Sequence, residues 1–241
     1  MKQLAKAGIL AVGAVLVSQA AQAAFTANDL YLGFTQSSAS GDYLINLGQA
    51  SSIVGQSTVV NLSSDFDLGM FNTIFTGGAA GVNMGVVGGI NQFPSSYDFY
   101  VTAPVGADLS GLNYSSTAIG TAVGPIARLA APAAGTGIND TSKSWAANIP
   151  VNAPNDFYGA TGLNPDLAIN GSGIISEGLW KEIPGSSTYL GYFTLDTSVS
   201  ASPSLTFTSI QAVPEPTTTA VLAGGALLLG IFRGRVIRKK A

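Results

Sequence analysis

Apolar and polar residues alternate in short runs through the middle of this chain. Asp29 to Gln36 places Leu30, Leu32 and Phe34 on one face, and Asp42 to Gly48 does the same for Tyr43, Ile45 and Leu47. The Ser40-Gly41 pair between them suits a hairpin. The cleanest alternation sets Tyr97, Phe99 and Val101 against Asp98, Tyr100 and Thr102. Period two is the signature of a strand, because successive side chains leave a pleated backbone on opposite sides. Further runs rich in β-branched and aromatic residues lie at Ser57 to Leu62, Val82 to Ile90, Gly173 to Ile183, Thr188 to Asp196 and Ser204 to Ile210. Eight strands without a long helical pattern predict a mainly β body: a single antiparallel domain of β-sandwich or jelly-roll-like type.

Two places interrupt the pattern. Ser64 to Phe75 opens on the capping residues Ser64 and Asp65 and spaces Leu68, Phe71 and Phe75 for a short helix packed on the sheet. Ser115 to Leu129 carries Ile119, Val123 and Ile126, but Gly120, Gly124 and Pro125 argue against a helix there. From Ala130 to Asn170 the chain is rich in Pro, Gly, Asn and Ala, and reads as a long excursion outside the core.

Both ends follow a different rule. Lys2 and Lys6 precede an apolar stretch from Ala7 to Val17, and Ala21-Gln22-Ala23 then offers a small-x-small cleavage site. This is the pattern of a secretory signal peptide over residues 1–23, which implies the Sec translocon and signal peptidase as partners. Cleavage between Ala23 and Ala24 leaves Ala24-Phe25 at the new N-terminus, with Ser18-Gln19-Ala20 as a second site. At the other end, a body over 24–211 gives way to a linker over 212–216 containing Pro214, Glu215 and Pro216. An apolar run follows over 217–232, then a basic tail over 233–241 with Arg233, Arg235, Arg238, Lys239 and Lys240. The two prolines fix φ and remove backbone donors, so the linker stays extended, in a form an enzyme cleft can grip. Sixteen residues rise roughly 24 Å as a helix, short of a hydrocarbon core of roughly 30 Å. The predicted transmembrane helix is therefore marginal, its reach extended by snorkelling arginines and by Val236 and Ile237. The basic cluster orients it with the tail in the cytoplasm.

Motif, span and basic cluster in that order resemble the PEP-CTERM sorting tail of Gram-negative envelope proteins. The resemblance covers about one-eighth of the chain. It implies that Pro214, Glu215 and Pro216 are read by an exosortase, a membrane-embedded transpeptidase-like enzyme that cuts near this motif. The strings D-L-Y-L-G-F, D-Y-L-I-N-L-G and Y-D-F-Y-V-T-A are also similar to strands of uncharacterised exported proteins with such tails, which implies a shared β body and no established activity. The localisation implied is passage through the inner membrane, transient anchoring there, and then the cell surface or the exterior.

Setting the ends aside changes the charge balance. The body keeps only Arg128, Lys143 and Lys181 against ten aspartates and two glutamates, nine negative charges net. Nucleic acid and anionic lipid are poor partners for such a surface. The chain has no cysteine, so packing alone must hold an exported body. It also has no histidine, which removes the usual neutral-pH general base and the commonest ligand of zinc, copper and haem.

No catalytic set emerges from what remains. Glu177 and Glu182 have the residue types of a glycosidase pair, but five positions apart on a strand they face opposite sides unless the strand is bulged. Ser142-Lys143 are adjacent and diverge in most backbones. Gly135-x-Gly137 and Gly171-x-Gly173 lack the continuation and helix of a nucleotide-binding loop. Asp65-x-Asp67, Asn139-Asp140, Asn155-Asp156 and Asn164-x-Asp166 supply oxygen ligands suited to calcium, the one cofactor left open, yet none forms an EF-hand loop, and Asx residues ordinarily shape turns and caps. Trp180 belongs to a strand and so to the core, whereas Trp145, in the polar excursion, is the candidate for an exposed glycan contact.

Two functional readings follow. The first is an exported envelope or matrix protein with a structural or adhesive role and no catalytic activity of its own. The alternative is a carbohydrate-binding module, or a weak glycoside hydrolase, acting on exopolysaccharide. They separate on whether a solvated concave sheet face carries two or more aromatics beside two facing carboxylates.

Overall fold

The computed structural model describes residues 26–39, 41–56, 59–92, 96–129, 136–138, 144–150, 156–198 and 203–210. The strands are β1 (Asp29–Thr35), β2 (Asp42–Gln49), β3 (Val60–Asn61), β4 (Asn83–Gln92), β5 (Ser96–Pro104), β6 (Thr136–Ile138), β7 (Leu167–Ala168), β8 (Ile174–Ile183), β9 (Ser186–Asp196) and β10 (Ser204–Ser209). They join in one sheet of order β3-β10-β9-β8-β5-β4-β1-β2-β6, with β7 added to β4, and every pairing is antiparallel. Among the described residues the α-helices are α1 (Ala50–Val54), α2 (Leu68–Ile74), α3 (Ser116–Arg128), α4 (Trp145–Asn148) and α5 (Phe157–Thr161), with a short 3-10 turn at Ser63–Asp65.

The sheet is curled into a half-barrel. Strands β2 and β10 stand six places apart, roughly 30 Å if the sheet were flat. Yet α1, five residues long, contacts both of them, so the sheet must bend round to meet it. The concave side is filled by Leu30, Leu32 and Phe34 of β1 and Tyr43 and Ile45 of β2, together with Phe193, Leu205 and Phe207 of β9 and β10. Phe66, Phe71 and Phe75 complete it, with Phe71 edge-on to Phe34 at 5.4 Å. Helix α2 begins where the Asp67 carboxylate accepts the Met70 N–H, and Tyr43 Oη accepts the Asp67 N–H at 2.7 Å, which ties the helix to β2.

The convex side carries a second core. Val87, Phe99 and Val101 pack there against Ile119, Ala122, Val123 and Ile126 of α3, and against Trp145 and Phe157. This arrangement differs from the expected sandwich: one sheet folds over its own inner face, and helices take the place of a second sheet on the outer face. Period-two alternation announces two dressed faces without saying what dresses them. Strand β1 is buried along its whole length, the mark of a strand covered on both sides.

Helix α3 forms despite Gly120, Gly124 and Pro125. Ser115 caps it by accepting the Ala118 N–H, and Ile119, Val123 and Ile126 fall on its buried stripe. Burial against the sheet outweighs weak propensity here. The segment from Ala130 to Asn170 also departs from expectation, since Trp145, Ile149, Phe157 and Ile169 are core residues. Its helices start from local caps, Ser144 for α4 and Asp156 for α5.

Gly33 and Gly85 supply the seat for Trp145. A Cβ on Gly33 would stand 2.0 Å from Cδ2 and Cε3 of the indole, and one on Gly85 would meet its Cζ2 at 3.0 Å. Gly33→Ala is therefore expected to destabilise the protein by about 1–3 kcal/mol or more, since a packed core cannot absorb the methyl without displacing the ring. A lowered urea midpoint with altered near-ultraviolet circular dichroism would bear this out; an unchanged midpoint would count against the seat.

Candidate functional site

The sorting motif Pro214, Glu215 and Pro216, the basic cluster and the cleavage residues Ala21, Ala23 and Ala24 lie outside the described residues. So do Ser142-Lys143, Asn139-Asp140 and Asn155. Among the described residues no helix is long and apolar enough to cross a membrane. Within the body, Asp67 and Asp156 cap helices, and Asn164 closes a turn by accepting the Asp166 N–H at 3.0 Å.

Trp145 is the clear correction. It is fully buried, so it offers no exposed glycan contact. Its indole lies flat over two glycines of the convex face, and Nε1 donates to Asp166 Oδ1 at 2.7 Å. Trp180 is in the core as expected, 7% exposed and 5.1 Å from the Tyr189 ring.

Glu177 and Glu182 are both inaccessible to solvent. Glu177 shares the alternation of Ile175 and Leu179, which belong to the concave core, and Glu182 that of Trp180, which belongs to the convex one. A bulge does occur opposite Leu179 and Trp180, but its extra residue is Leu190 on β9, so the parity of β8 is kept. The two carboxyls thus point to opposite faces.

Glu177 sits where the sheet forks. The ladder of β4 and β5 ends at Val87 and Val101; beyond it Asn83 and Met84 pair with β7 instead, while β5 continues beside β8. The Thr102 hydroxyl closes the crotch of the fork, accepting from Val86 N at 2.8 Å and donating to Pro165 O at 3.2 Å. Neither oxygen of Glu177 has a formed hydrogen bond. Burial pushes its carboxyl well above the ordinary range; Thr102 opposes this and the Asp166 charge adds to it. Asp166 is itself pushed up to about 7 by burial, against the stabilising hydrogen bonds from Trp145 and Thr35. Two neighbouring carboxyls therefore hold protons where isolated ones would not.

A second polar group opens to solvent at the end of the concave face beside α1. There a cavity of about 460 Å³ is walled by Asn28, Gln49, Asp98, Tyr100, Lys181 and Leu190, among others. Lys181 Nζ pairs with Asp98 Oδ2 at 2.8 Å and lies 5.4 Å from the Tyr100 ring centroid. Burial works to lower the Lys181 pKa, but the Asp98 carboxylate and the Tyr100 side chain hold it above its ordinary value. Asp98 Oδ1 and Asn28 Oδ1 are buried without a partner. Asn28 is also the one described non-glycine residue with positive φ, at 66°. This opening is lined by one aromatic and one carboxylate, Tyr100 and Asp98.

The sequence singles out Glu177 and Asp166 but not their juxtaposition, and it does not point to the cavity group. Asp98, Tyr100 and Thr102 stood in the clearest strand pattern, where they read as the polar face. The usable signal was scarcity: Lys181 is one of three cations in the body and is set in the middle of a strand.

The fork makes stability depend on pH. Glu177 and Asp166 keep their protons in the folded state above the ordinary values of 4.5 and 3.8 at which the unfolded chain releases them. Their contribution is whole below about pH 4 and falls as pH rises, Asp166 losing its share by about pH 7 and Glu177 losing its own as pH climbs through its raised value. Glu177→Gln is expected to match the parent at acid pH and to exceed it in urea midpoint near pH 8. Parallel pH profiles for the two proteins would refute this assignment.

In comparison with known proteins, no family model matches this chain, and no curated protein or solved structure matches it.

Proposed function

We propose that this chain is an exported cell-envelope or extracellular-matrix protein, delivered through its C-terminal Pro-Glu-Pro tail, with a structural or adhesive role and no catalytic activity of its own. The observation that carries the reading is the order of parts from Pro214 to Lys240: an extended proline-flanked motif, an apolar run of minimal spanning length, and a basic cluster. The signal-peptide pattern at the other end agrees with it, since a translocated chain with a weak C-terminal stop is held in the membrane long enough for a membrane enzyme to act. On this reading the partners are the Sec translocon, signal peptidase and an exosortase in the inner membrane, and the product is the acidic β body.

Two features of the body support a non-catalytic role. Its two glutamates are inaccessible and face opposite sides of β8. Of the more accessible carboxylates, Asp108, exposed, and Asp196, half-buried, are engaged by neighbouring serines, Ser110 and Ser198, in local turns.

Replacing Pro214 and Pro216 together with alanine in the native host tests the sorting reading. The expected result is retention of a longer, membrane-associated form in place of the processed surface form, followed by size and by fractionation. Unchanged size and delivery would remove the exosortase from the proposal.

A further inference from the structure

The cavity beside α1 carries an inference that does not depend on how the protein is exported. We propose that it binds a neutral polyhydroxylated ring, the chemical class of a sugar residue, through Asn28, Asp98 and Lys181. Its volume, about 460 Å³, falls within the roughly 300–1,000 Å³ of small-molecule sites.

The polar groups choose the class. Asp98 Oδ1 and Asn28 Oδ1 are acceptors that lack donors. Lys181 has three N–H groups and spends one of them on Asp98 Oδ2. A carboxylate or phosphate would satisfy Lys181 but bring only acceptors to two oxygens already short of donors. An ammonium would satisfy those oxygens but face the Lys181 charge. A hydroxyl donates and accepts at once, so neighbouring hydroxyls on a ring meet all three groups without adding charge. Val54 and Leu190 on the wall offer apolar surface to the C–H face of such a ring.

The backbone is prepared for this. Asn28 is pinned in its left-handed conformation from both sides, its N–H donating to Gly89 O at 3.0 Å and its carbonyl accepting from Ala50 N at 2.8 Å. Asn is among the few non-glycine residues that hold that φ readily, and here its amide also lines the cavity. The same two bonds fix α1 to β4 through residue 28, which sets the pocket wall before any ligand arrives.

The test uses the full-length protein in a zwitterionic, sugar-free detergent and saturation-transfer NMR. The probes are the methyl α-glycosides of glucose, galactose and mannose, with glucuronate and glucosamine as anionic and cationic counterparts. At least one neutral glycoside should bind, and more tightly than either charged sugar. Asn28→Gly keeps the required φ while removing the amide, and should weaken binding about fivefold or more. Ser51→Trp places bulk in the cavity from an exposed position on α1, and should abolish binding with the core intact. No transfer to any neutral glycoside, equal or tighter binding of a charged sugar, or parental affinity in both variants would each overturn the proposal. None of these outcomes bears on processing of the tail.

Discussion

A sheet that is apolar on both faces must be covered twice, and this requirement organises the whole body. Along β1, Leu30, Leu32 and Phe34 look inward while Tyr31 looks outward, and all are buried. Curling the sheet serves the inner face, because the strands near its two ends then share one core with the aromatic cluster around Phe71. Helix α1 closes the curl by touching β2 and β10 together, with Ser209 Oγ donating to Val54 O at 3.0 Å across the join. Among the described residues the outer face is covered by α3 and the segment around Trp145, with no second sheet. Neither cover is optional, since burying apolar area at roughly 25 cal/mol per Å² is what holds a body without disulfides.

The cost of this solution falls on polar groups. Where the 165–168 segment wedges between β4 and β5, Glu177 ends inside the protein with no formed hydrogen bond, and Asp166 is carried close to it by its bond to Trp145. Burial raises both carboxyls above their ordinary range, favouring the protonated form over a charge that low-dielectric surroundings penalise heavily. At the other end of the concave face the solution is different. Asp98 stays paired with Lys181, and the cavity remains open to solvent at that point.

Seven of the eight strands foreseen in the sequence are present almost to their predicted limits, because alternation such as Tyr97 to Thr102 is a local consequence of sheet geometry. The eighth shrinks to Val60–Asn61 within its described part, and α1 precedes it unannounced, since Ala50 to Val54 is too short to show a helical period. Trp145 was misplaced for a non-local reason. Its neighbours in the chain are small and polar, whereas its seat is made by Gly33 and Gly85, some 60 to 110 residues away in sequence. The opposed faces of Glu177 and Glu182 were legible because strand parity is arithmetic. The cavity at Asn28, Asp98 and Lys181 was not, because the curl that assembles it is a property of the sheet and not of any one strand.

Strand β10 has a consequence of a mechanical kind. It is the last strand among the described residues, and the sequence runs on from Ile210 toward Pro214. It pairs with β9 along six residues, from Ser204 with Asp196 to Ser209 with Gly191, and Ile210 adds a bond to Leu190 O at 3.0 Å. A pull on the C-terminal segment directed along this strand loads all of those bonds in shear instead of peeling them one at a time. The body is thus joined to its tail through a part of the sheet suited to bear tension.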